Sequence, residues 1–172
     1  MAMLLPSVGN AKDYKKWAPL LMANIASFAF DFVLREKVQG QNLNWYILEQ
    51  LPVIAPAAFE AEIDGIKIAD FIREQVLRLS YTAHNLAPFA RDLGYGEKPF
   101  HWDEEDRMLR MAALDALFMY LYGLSADDAG YILETFPIVR KQDEAAWGDF
   151  RSKNLILAGL KKLNTGQWPD LT

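Results

Sequence analysis

Cysteine is absent from all 172 residues, which excludes disulfide frameworks, thiolate metal sites and cysteine nucleophiles together. That absence is compatible with a cytoplasmic chain. No uninterrupted apolar run approaches the roughly 18 residues of a membrane helix, so no membrane partner is expected. The opening Met1-Ala-Met-Leu-Leu-Pro6 lacks a basic region and is too short for a signal peptide. There is no Pro-Pro dipeptide, no glycine-rich cofactor loop, no internal repeat and no low-complexity tract. Pro169-Asp170 has no acid-x-lysine after it, so the metal ligands of a PD…(D/E)-x-K nuclease are missing as well.

Positive charge is also short. Lys and Arg number 18 against 23 Asp and Glu, for a net charge of −5 and a pI near 5.0. Neutralising a phosphate backbone needs clustered cations, so this balance argues against a self-sufficient DNA binder. The cations are unevenly placed, however. Lys12, Lys15, Lys16, Arg35 and Lys37 make the start basic, and Arg140, Lys141, Arg151, Lys153, Lys161 and Lys162 do the same near the end. The carboxylates of Asp103-Glu-Glu-Asp106 fit the first turn of a capped helix better than a metal site, because a helix N-terminus favours acids.

What is present suits a soluble globular chain: 52% hydrophobic, 24% charged and 13% aromatic residues, at a length sufficient for one domain with a real core. The pattern predicts a mainly α fold, an irregular helical bundle with at most a short strand or hairpin near the N-terminus. From Leu20 to about Lys37 apolar residues cover most of a helix, leaving only Asn24, Ser27, Asp31 and Arg35 as a polar stripe. This reads as the core helix, with Pro19 in its first turn. After a turn at Asp64-Gly65, Ile68, Ile72, Val76 and Leu79 mark one face of a helix continuing to His84 and breaking near Pro88. A short helical turn ends at Gly94. Asp103 caps a strong helix ending at Gly123, and Ser125 with Asp128 opens another that stops before Pro137. A last helix spans about Asp143 to Leu163, bent at Gly148.

Between the first helix and the rest lies Lys37 to Pro56. Gly40, set among Gln39, Gln41, Asn42 and Asn44, is turn chemistry and predicts a polar hairpin bend. Leu43, Ile47, Leu48 and Leu51 then follow helical spacing, and Pro52 ends them. Val53-Ile54, ahead of Pro56, is expected to be extended. This divides the chain into a closing segment, 1–56, and a helical region, 57–172, packed together as one domain. Asn and Gln can read adenine bidentately, though the same amides serve turns equally well. His84 and His101 have no Ser, Cys or carboxylate at motif spacing and read as packed or capping side chains. Trp17, Trp45, Trp102, Trp147 and Trp168 are suited to stacking on bases, but read mostly as core or interface residues.

The Gly-x-Asn-x-Asn turn at Gly40 to Asn44, followed by Ile47-Leu48-x-x-Leu51-Pro52-Val53-x-x-Pro56, resembles the segment closing the target-recognition region of restriction-modification DNA methyltransferases. The similarity is to the adenine-N6 class, particularly type IIG-like enzymes that fuse methylase and nuclease. It extends to Ala26–Val38, Leu79–Gly94, Leu114–Leu124 and Thr135–Glu144, and so covers nearly the whole chain but only the C-terminal end of a longer family protein. The resemblance implies DNA as a partner, together with a methyltransferase or recognition domain of the same or another chain. It implies no catalysis by this chain, since the family's Asn/Asp-Pro-Pro-Tyr/Phe motif is missing. No cofactor is expected here; S-adenosylmethionine and Mg belong to the parent enzyme. Lys37, Arg140, Lys141 and Lys153 are then candidates for phosphate contact, and Gln41, Asn42 and Asn44 for base reading. The other reading of the same residues is a helical protein-interaction module without a nucleic-acid role.

Overall fold

The computed structural model describes residues 11–38 and 44–171. In chain order these form α1 (Ala11–Ala26), α2 (Phe28–Lys37), α3 (Trp45–Leu48), the strands β1 (Glu62–Ile63) and β2 (Ile66–Lys67), α4 (Ile68–Ser80), α5 (Ala87–Asp92), α6 (Glu104–Leu121), α7 (Ala126–Glu134), α8 (Pro137–Trp147) and α9 (Arg151–Asn164). Single 3-10 turns occupy Pro56–Glu60 and His84–Leu86. The fold is mainly α, as the periodicity predicts.

At its centre α6 lies on α9. Asp103 starts α6 by accepting the Asp106 amide at 2.9 Å, with three acids in the first turn against the helix dipole. Ala112, Ala113, Ala116 and Leu117 then form the buried stripe, which meets Ile156, Leu160 and Leu163 of α9. Small residues let the two backbones approach. A methyl carbon at Gly159 would lie 2.9 Å from the Ala116 Cβ and 3.3 Å from the Pro169 ring, so only hydrogen fits there. Ile68, Ile72 and Val76 pack α4 into the same core. Arg110, buried on α6, joins the two helices by donating to Gln75 at 2.6 Å while holding Asp106 through two hydrogen bonds. Near the C-terminus Trp168 stacks on Phe71, ring centroids 4.0 Å apart, and its indole N–H donates to the Ile63 carbonyl at 2.8 Å.

Several expected boundaries move. The single helix over Leu20–Lys37 is two helices meeting at 66°. Ser27 is extended, its hydroxyl capping α2 by accepting the Phe30 amide and donating to the Asn24 carbonyl at 2.7 Å. Asn24 and Ser27 therefore belong to the interior and not to an outward stripe. Pro19 lies inside α1, not in its first turn; its buried position lets packing offset the missing amide. α4 ends at Ser80, so His84 falls outside it, and Pro88 sits in the first turn of α5. Proline lacks only an amide that a first turn leaves unpaired in any case. Pro137 opens α8 for the same reason. The helix expected over Asp143–Leu163 is divided by Gly148, whose φ of 83° is a conformation that L side chains resist.

The hairpin pairs Glu62 with Lys67 and Ile63 with Ile66 around Asp64-Gly65, both at positive φ, the geometry of a two-residue turn. Residues 39–43, where the bend at Gly40 is expected, lie outside the described residues. No single helix among the described residues is long and apolar enough to cross a membrane.

Candidate functional site

The exit from the closing segment is bound by the bend between α1 and α2. Leu51 is buried just after α3, and the chain runs without regular structure from Pro52 to Ala55, which is extended. Asn24, at 0% exposure, reaches this stretch and accepts the Ile54 amide at 2.9 Å. Its own amide donates to the Tyr122 hydroxyl at 2.7 Å, and that hydroxyl donates to the Pro52 carbonyl at 2.9 Å. Burial raises the Tyr122 phenol above its ordinary value, partly countered by Asn24. A single amide thus ties α1, the closing segment and the end of α6. On the other side of the bend the Phe28 amide donates to Asp115 of α6 at 2.8 Å. Farther along α2, the Arg35 guanidinium lies 4.4 Å from the Phe136 ring centre, and Phe28 meets the same ring edge-on at 4.7 Å.

The expected DNA-contacting residues fall in three groups. Gln41 and Asn42 lie outside the described residues, while Asn44 is exposed at the start of α3 and makes no side-chain cap. Arg140 is held by Glu144 at 2.7 Å and Glu134 at 3.0 Å, and these carboxylates raise its pKa further. Lys153 bonds the same Glu134 and, as the largest cause, holds that carboxyl below its ordinary value. Lys37 and Lys141 are exposed and pair with no carboxylate among the described residues. In the first basic cluster, Lys15 pairs with Asp92 and Lys16 with Glu60. Arg35 instead joins Asp31 beside Phe136. The two ends of that cluster therefore serve different neighbours.

A cavity of about 460 Å³ opens between α1, α2, α4, α6, α8 and α9. Met22, Met108, Met111, Phe28, Leu79 and Ile156 supply much of its apolar wall. Asp115 lines it, surrounded by protein yet partly accessible through the opening. Loss of water pushes its carboxyl up to about 7, against the Phe28 amide, which favours the charged form. Asp143, buried on α8, lines the cavity too and accepts the Ser152 amide at 2.6 Å, capping α9 from outside. The cavity is absent from the expectations drawn from sequence. Its one legible signal is Asp115 itself, the only charged residue between Met111 and Gly123.

His84 and His101 are both exposed, so of the two roles expected of them, packed or capping, the packed one does not hold. Trp17 and Trp168 pack on the core as expected, whereas Trp45, Trp102 and Trp147 are substantially exposed. No group of three His, Cys, Asp or Glu residues among the described residues is placed to hold a metal ion. No family model, curated protein or solved structure matches this chain.

Proposed function

We propose that this chain is the non-catalytic C-terminal part, as a fragment or a separate subunit, of a cytoplasmic restriction-modification DNA adenine methyltransferase. Its role is to buttress the target-recognition region and support DNA binding. The observation that carries the reading is the knot at Tyr122. The stretches that resemble the family are far apart in sequence, and they meet there and beside it. Tyr122 of Leu114–Leu124 bonds Pro52 of the closing segment, and Asp115 bonds Phe28 of Ala26–Val38. Arg35 of Ala26–Val38 covers Phe136 of Thr135–Glu144. A helical body gripping the exit of the closing segment is suited to fixing the turn expected ahead of it. Exposed Lys37 and Lys141 supply phosphate contacts, which position a duplex without reading it. Arg140 joins them only by leaving Glu144 and Glu134, and Lys153 only by leaving Glu134.

The test begins with the coding context. An Asn/Asp-Pro-Pro-Tyr/Phe motif upstream, in the same or the adjacent reading frame, is expected, and the product carrying it should methylate adenine when co-expressed with this chain. The isolated chain should bind duplex DNA weakly, with an affinity that falls steeply with salt and does not depend on sequence. Methyl transfer from labelled S-adenosylmethionine by this chain alone would overturn the reading, as would the absence of any such motif. In that case the helical interaction module takes its place. Tyr131 and Ile138 favour it, being 68% and 72% exposed, with Tyr131 edge-on to Phe32.

A further inference from the structure

We propose that the cavity between α6 and the α1–α2 bend is a binding site for a small apolar amine, with Asp115 as its counter-ion. Such a site stands apart from any role in methylation. One Asp115 oxygen is committed to the Phe28 amide. Among the described residues nothing bonds the other, and no buried side-chain oxygen is left without a partner. That second oxygen therefore opens onto the cavity it lines.

The charges lining the cavity are of one sign. Among the described residues lining it, Asp143 is the only other titratable group, and no Lys, Arg or His joins the wall. Each carboxylate faces a helix N-terminus, but that offsets only about half a unit of charge apiece. An anion is repelled, and a neutral apolar molecule strips water from a carboxylate while giving nothing back. An ammonium group carried on an apolar body answers both demands. Its charge pairs with Asp115, and its body lies against Met22, Met108 and Met111, whose flexible thioethers adapt to irregular ligands. The Phe28 ring on the same wall adds a surface that attracts cations. At 460 Å³ the space is in the range of small-molecule sites. Met22 and Met111, 45% and 46% exposed, mark the way in.

The experiment titrates the chain with 2-(1-naphthyl)ethylamine and with the alcohol and carboxylate of the same skeleton, following heat and the methionine methyl resonances. The amine should bind at least ~10-fold more tightly than the alcohol, as a charge-assisted bond requires, and the carboxylate should bind least. Methyl shifts should centre on Met22, Met108 and Met111. Affinity for the amine should rise between pH 5.5 and pH 8 as Asp115 loses its proton. Asp115→Asn keeps an oxygen for the Phe28 amide, so the fold should survive, and amine affinity should fall about 10-fold while the alcohol is unaffected. Equal binding of amine and alcohol would overturn the proposal. So would no binding by any of the three, or a pH-independent affinity in the unaltered chain.

Discussion

Where α9 lies on α6, the buried contact is apolar and so close that Gly159 has no room for a methyl group. Where α1 turns into α2, the interior is polar: Asn24 and Asp115 bond the backbone of other segments, and Ser27 bonds the backbone on either side of the bend. The first region is held by shape, its energy spread over many weak contacts. The second is held by a few directional bonds whose partners have no alternative once buried. A change of volume should therefore break the first, and a change of polarity at constant volume should break the second.

The largest effect is expected at the apolar seam. Gly159→Val should lower the unfolding free energy by about 3 kcal/mol, because the added carbons meet Ala116 in a packed core. Urea denaturation measures this, and an unchanged midpoint would mean that α9 backs away from α6 at no cost. Next comes Asn24→Leu, similar in size but unable to bond, which should cost about 2 kcal/mol by orphaning the Ile54 amide. Combined with Tyr122→Phe, it should cost less than the sum of the two changes. Strict additivity would show that the two side chains act separately.

The smallest effect distinguishes the regions by pH. Burial raises the Asp115 carboxyl from 3.8 to about 7. Between those values the folded chain keeps a proton that the unfolded chain has released, so its stability declines as pH rises through the interval. Asp115→Asn has no such proton. Its advantage over the unaltered chain should grow with pH, reaching about 1 kcal/mol at pH 8 once solvation through the cavity is allowed for. Glu60, Asp106, Asp128 and Glu134, whose pKa values are lowered, contribute the opposite slope. They do so equally in both chains and cancel in the difference. A gap that stays constant between pH 5 and pH 8 would mean that Asp115 titrates alike folded and unfolded.

These contrasts also explain what could be read in the sequence. Caps are local, so Asp103 and the reciprocal Ser125–Asp128 pair mark the starts of α6 and α7 by residue type alone. Proline is ambiguous, since Pro88 and Pro137 open helices with the same chemistry that would close one. The polar stripe at Asn24 and Ser27 misleads because amphipathic reasoning assigns polar residues to water, whereas here they satisfy buried backbone. Ion pairs were out of reach for a different reason. Lys153 and Glu134 are 19 residues apart, and Arg151 and Glu105 are 46 apart. Only the folded arrangement shows which cations already have an acid beside them.

The indole of Trp168 gives the fold an order in time. Its bond to the Ile63 carbonyl closes a span of 105 residues, and such closure is slow to find because the entropy of a long loop is lost before the contact is made. On a growing chain the hairpin and α4 are synthesised long before this partner exists. Their local turns form at once, while the Phe71 ring waits for the indole that will cover it. The stack at Phe71 is thus a late event in assembly, and the emission of a variant that keeps only Trp168 of the five indoles reports when the two ends of the helical region have found each other.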